Sequence, residues 1–97
     1  MATIMITEFM EFEQVNEMSK IHNVIYEPEI YLNTAEIIEK ISNIDALIVR
    51  NKTEVSKNIL SLAKNLKVIG RLGVGLDNID IDFCKKNKIS VIIAEGA

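Results

Sequence analysis

The stretch Leu66-Lys67-Val68-Ile69-Gly70-Arg71-Leu72-Gly73-Val74-Gly75-Leu76-Asp77-Asn78-Ile79-Asp80 joins an apolar, strand-like run to a glycine pair and then to a helix-start signal. In α/β proteins that succession builds small-anion sites, because glycine backbone and a helix start both offer unpartnered N–H groups. The same alternation of short β-branched runs and amphipathic stretches repeats on both sides, and it predicts parallel strands joined by crossover helices. Strands are expected at 3–7, 24–26, 46–49, 67–70 and 90–94. The first helix should span 11–21, with Phe12, Val15, Met18 and Ile21 as an inward stripe. Asn33, with Glu36 three residues on, forms a capping box for a helix over 34–41 that turns Ile37, Ile38 and Ile41 inward. Ser56 or Thr53 caps a third helix bearing Ile59, Leu60 and Ala63, and Asp80 caps a short fourth over 81–87. Strands three and five are apolar without alternation, as expected of strands covered on both faces. The fold class is therefore α/β: a flavodoxin-like, open, doubly wound parallel sheet of about five strands with helices on both faces. The fifth unit lacks its crossover helix, which reads as a fragment of a longer chain.

With 97 residues the chain has room for one core. A composition of 48% hydrophobic and 26% charged residues with one proline is that of a globular domain, not of a disordered one. The net charge of -3 gives no basis for nucleic-acid binding, and the lone basic cluster, Lys85, Lys86 and Lys88, reads as a solvated helix end. The apolar run Ile4-Met5-Ile6 is too short for a signal core or a membrane span. Cys84 has no partner for a disulfide and no Cys/His cluster has metal-ligand spacing, so no metal site and a cytoplasmic location are expected.

Ligands of open α/β sheets bind beyond the carboxyl ends of the strands, which selects Thr7 and Glu8, Arg50 and Asn51, residues 70–78, and Glu95 and Gly96. Gly73-Val74-Gly75 supplies two glycines of a dinucleotide fingerprint, but Asn78 stands at the third position. The glycine pair serves either a tight turn or a carboxylate, whose approach to bare N–H groups the missing Cβ atoms at Gly73 and Gly75 would allow. Arg50 either adds a cation to that anion site or pairs with Glu54 or Asp77, and Asn51 is either a turn former or a polar contact. Asp77 and Asp80 read as loop and cap residues, His22 as structural or solvated, and Cys84 as a small buried apolar residue with no histidine to activate it.

Three segments in order, residues 45–55, 66–80 and 89–97, resemble the D-isomer-specific 2-hydroxy-acid dehydrogenases, the family of phosphoglycerate dehydrogenase and hydroxypyruvate reductase. Residues 1–44 are similar only in their βα pattern. The resemblance implies that residues 1–97 are the N-terminal portion of the substrate-binding domain, with the NAD-binding Rossmann domain absent from this chain. By position, Arg50 and Asn51 match a strand-end pair that contacts substrate, with Asn51 standing where serine is commoner. Gly73, Val74 and Gly75 match the loop whose N–H groups hold the substrate carboxylate. The implied enzyme exchanges hydride between NAD(H) and a small polar 2-hydroxy acid of the 3-phosphoglycerate, glycerate or sulfolactate type, and is a homodimer or larger. The family's catalytic arginine, glutamate and histidine match nothing here, so the resemblance gives this chain no catalytic residue and no cofactor contact. The competing class is a stand-alone flavodoxin-like binding or signalling module. A receiver domain would need clustered acids after strand one, an aspartate ending strand three and a lysine ending strand five, where Glu8, Arg50 and Glu95 stand.

Overall fold

The structure is a computed structural model and describes residues 1–94. Five strands, β1 (Thr3–Ile6), β2 (Asn23–Tyr26), β3 (Ala46–Val49), β4 (Val68–Leu72) and β5 (Ser90–Ala94), form one sheet in the order β2-β1-β3-β4-β5. Every pairing is parallel, and this order is that of the flavodoxin-like doubly wound fold, as expected. Four helices connect the strands: α1 (Phe12–Ser19), α2 (Thr34–Ile41), α3 (Lys57–Leu60) and α4 (Ile81–Lys86). A 3₁₀ turn over Ile30–Leu32, not anticipated from the sequence, buries Ile30 ahead of α2.

Side chains alternate across each strand, so the pleat sorts the core into two clusters. Ile4 and Ile6 meet Val15 of α1 on one face. Met5, Leu47 and Ile69 are in register and face the other way, toward Ile37 and Ile41 of α2, Ile59 and Leu60 of α3 and Cys84 of α4. Burying each such isoleucine or leucine contributes about 1.5–3 kcal/mol. Asn33 caps α2 as expected, its Oδ1 accepting from the Glu36 N–H, but the Glu36 carboxylate accepts from the Asn33 side-chain Nδ2 and not from its backbone N–H, which donates to the Ile30 carbonyl at 2.8 Å. Ser56 caps α3 and Asp80 caps α4.

Several expectations are corrected. Strand β4 does not end at Gly70 but continues through Arg71 and Leu72, because both neighbouring ladders extend that far: Arg71 pairs with Val49 and with Ile93, and Leu72 with Ala94. The α1 stripe holds only at Val15 and Met18. Phe12 is 76% exposed and Ile21, beyond the helix end, is 68% exposed, since α1 packs against the β1–β2 half of the sheet and offers them nothing to meet. The same one-sided cover leaves β5 bare on that face, where Ile92 is 59% exposed, so β5 is not covered on both sides. Helix α3 is a single turn, and Thr53 does not cap it. Glu95 and Gly96, singled out as residues following strand five, lie outside the described residues.

Candidate functional site

Parallel pairing brings the carboxyl ends of all five strands to one edge, and the segments that leave β1, β3 and β4 there pack against each other. The segment after β3 is the central one. Glu8, which follows β1 and is 3% exposed, turns its carboxylate onto it. Oε2 accepts from the Arg50 N–H (2.8 Å), the Thr53 N–H (2.9 Å) and the Thr53 hydroxyl (2.7 Å), and the Lys52 N–H is shared between Oε1 (3.1 Å) and Oε2 (3.2 Å). The Thr53 hydroxyl, having donated to Glu8, accepts from Thr7 at 2.7 Å. From the opposite side the Asn78 amide donates to the carbonyls of Arg50 (2.7 Å) and Thr53 (2.8 Å). One further bridge, between Val55 and Ile79, ties the segments after β3 and β4 side by side.

The glycine loop is shaped from below by Arg71. This side chain is 7% exposed, its guanidinium donates to the Leu72 carbonyl, and its Nε has no hydrogen-bond partner among the described residues. A Cβ at Gly73 would lie 2.5 Å from Arg71 Nη1, and one at Gly75 would lie 3.4 Å from Nη2. Gly73 also takes φ +118°, a conformation that side chains rarely adopt. The turn reading of the glycine pair therefore applies at Gly73, whose N–H is moreover committed to the Ala94 carbonyl at 3.1 Å. The N–H groups of Val74 and Gly75 have no hydrogen-bond partner among the described residues, and Val74 is exposed. Two consecutive donors are thus open at the loop tip, as a carboxylate cradle requires.

Of the residues predicted for the site, Asn51 and Gly75 share a cavity of about 290 Å³ with Glu54, Arg71, Asp77 and Asn78. Asn51 is exposed there and its side chain makes no hydrogen bond among the described residues, so it does not act as a turn former through that side chain. Arg50 reaches away from this cavity toward the loop after β1, its Nε donating to the Phe9 carbonyl (2.7 Å) and its guanidinium lying 5.9 Å from the Phe9 ring centre. Asp80 is a cap, accepting from the Phe83 N–H at 3.0 Å, and His22 Nδ1 accepts from the Ala2 N–H at 3.0 Å. Cys84 is buried, and burial foremost, with the nearby Asp80 charge second, pushes its thiol pKa up, away from a nucleophile's range. The sequence reading passed over Arg71 and the clamping roles of Glu8 and Asn78. Their signal was present as an acid directly after a strand and a cation within an apolar run.

The glycine loop does not fit a dinucleotide pyrophosphate. The Asn78 amide at the third fingerprint position is spent on two carbonyls, and the start of α4 already carries the Asp80 carboxylate where a phosphate would need to approach.

Comparison with known proteins defines the class. The sequence profile of the D-isomer specific 2-hydroxyacid dehydrogenase catalytic domain matches residues 4–97, and the chain belongs to this family. It is 36% identical over 96 residues to (S)-sulfolactate dehydrogenase of Chromohalobacter salexigens, covering 99% of this chain and 31% of that protein. It is 35% identical over 97 residues to D-3-phosphoglycerate dehydrogenase of Methanocaldococcus jannaschii, covering 100% of this chain and 18% of that one. The chain thus spans less than a third of the length of these relatives. Among solved structures, a Pyrococcus horikoshii protein superposes with a TM-score of 0.90 at 27% identity over 99% of this chain and 28% of its own. The NAD+-bound 3-phosphoglycerate dehydrogenase of Entamoeba histolytica gives 0.81 at 27% identity over 95% of this chain and 32% of its own.

Proposed function

We propose that this chain is the N-terminal portion of the substrate-binding domain of an NAD(H)-dependent oxidoreductase acting on a small polar 2-hydroxy acid of the 3-phosphoglycerate, glycerate or sulfolactate type. Its part is to orient the acid. The observation that carries this reading is the pair of unpartnered, adjacent N–H groups at Val74 and Gly75, on a strand tip beside Asn51. A carboxylate accepting both would have its rotation fixed, and fixing the carboxylate fixes the face of the neighbouring C2 atom. Holding a reactant in one orientation is where a residue that takes no part in bond making still lowers the barrier. Arg71, buried beneath the loop, adds positive potential to the anion site. No residue of this chain is assigned to the dinucleotide, which the full-length protein would hold elsewhere, and the chain by itself turns nothing over.

The test is NADH oxidation by the full-length protein with 3-phosphohydroxypyruvate, hydroxypyruvate and sulfopyruvate, with residues 1–97 as control. Turnover by the full-length protein alone is expected, and the preferred acid identifies the substrate. Absence of turnover with every 2-oxo acid would refute the reading and favour a binding module.

A further inference from the structure

We propose that Glu8 is a positioning residue: it touches no substrate, yet its carboxylate sets the conformation of the loop that presents Arg50 and Asn51. This role rests on the function proposed above. Residues 50–53 have no regular secondary structure, so their shape must come from outside. It comes from two sides at once. The N–H groups of Arg50, Lys52 and Thr53 and the Thr53 hydroxyl all point at Glu8, while the carbonyls of Arg50 and Thr53 receive the Asn78 amide. Glu8 is buried and no lysine, arginine or histidine of the described residues lies within ion-pair distance, so N–H and O–H dipoles alone offset its charge. A buried carboxylate with that many donors and no cation is a socket for a backbone loop.

The chemistry requires an acid. A carboxylate is acceptor-only on both oxygens, whereas glutamine would turn an NH₂ group toward at least one of the converging N–H groups. The loop would then rotate away, taking Asn51 and Arg50 with it. Because Asn78 belongs to the segment after β4, the clamp also sets the distance between Asn51 and the Val74–Gly75 donors. Glu8 thereby controls the alignment of both halves of the site through atoms 42 to 45 residues away in sequence.

The experiment is steady-state kinetics of the full-length protein and its Glu8→Gln variant, varying the preferred 2-oxo acid and NADH separately. An equivalent substitution at the opposite end of the sheet, Asp45→Asn, serves as control, since among the described residues the Asp45 carboxylate accepts only the Thr3 N–H (2.8 Å). Glu8→Gln should raise KM for the acid about tenfold or more, the loss of one hydrogen bond to a charged group. Because the loop orients the acid, kcat should fall as well, while KM for NADH should change less than about threefold and Asp45→Asn should leave all three near wild type. Thr53→Val, which keeps the carboxylate and deletes one donor, should raise KM for the acid by a smaller factor, and it carries the test if Glu8→Gln does not fold. An unchanged KM for the acid in a folded variant, or equal increases for acid and NADH, would overturn the proposal. Wild-type protein that reduces no 2-oxo acid would refute the function itself and this role with it.

Discussion

Replacing Gly73 by alanine separates the two demands made on the glycine loop. Gly73 has φ +118°, and an added Cβ would stand 2.5 Å from Arg71 Nη1, well inside van der Waals contact. The backbone demand is strain of roughly 1–3 kcal/mol for a side chain held in a sparsely populated region. The steric demand falls on Arg71, which must withdraw from the Leu72 carbonyl and leave a charged donor poorly satisfied, at about 1.5–3 kcal/mol. Gly73→Ala should therefore destabilise the chain by about 2.5–6 kcal/mol. Gly75→Ala is the internal comparison. Its Cβ would meet Arg71 Nη2 at 3.4 Å with no positive φ, so a shift of a few tenths of an ångström accommodates it. A glycine replaced by alanine at ordinary φ also stiffens the unfolded chain by about 0.4–1 kcal/mol, so this variant should stay within about 1 kcal/mol of wild type. In an Arg71→Met background Gly73→Ala should lose its steric part and cost only the roughly 1–3 kcal/mol of backbone strain. Urea unfolding followed by far-ultraviolet circular dichroism reads all three differences. Equal costs at Gly73 and Gly75, or a Gly73 cost unchanged by Arg71→Met, would refute the claim that the arginine shapes this loop.

Ile69→Ala, at a fully buried position in the central row of the sheet, should cost about 2–5 kcal/mol in the same assay; a loss under about 1 kcal/mol would mean that the row is not close-packed. Asp80→Ala removes the side-chain acceptor for the Phe83 N–H and should cost about 1 kcal/mol, with Asp80→Asn retaining most of it; equal losses for the two would assign the effect to charge and not to capping. The buried Cys84 thiol has a folded pKa raised above its unfolded value, so its contribution is complete below the unfolded thiol's value of about 8.5 and fades as pH rises through the folded one. The stability gap between wild type and Cys84→Ala should accordingly narrow above about pH 8.5, and a gap constant to pH 10 would rule out the burial effect.

Elements announced by local chemistry were legible in the sequence. The Asn33–Glu36 capping pattern and Ile37 and Ile41 mark α2 to the residue, and the apolar runs mark β3 and β5. Gly70 misled the reading of β4, because a ladder needs only backbone, and Gly70 continues it with its Cα beside Ile48. Periodicity placed Phe12 and Ile21 on an inward stripe, yet what a helix buries depends on which neighbours it has, and α1 has only half a sheet. At the site, Asn51 and the Val74–Gly75 donors were legible because they follow strands. The task of Glu8 was not, since its partners are 42 to 45 residues away and nothing in the local pattern joins them.

The uneven placement of helices has a consequence for how the sheet comes apart. On one face α1 shelters β1, β2 and part of β3, and on the other α2, α3 and α4 shelter β1, β3, β4 and parts of β2 and β5. Only β1, β3 and β4 pair on both sides, and β3, flanked by β1 and β4, has strands beyond it in either direction. Opening should thus proceed inward from the two edges, with β5 first because one of its faces is already wet. Amide hydrogen exchange should rank the strands by that order, fastest in β5, intermediate in β2 and slowest in β3, so that the protein carries a gradient of local unfolding free energy from one edge to its centre.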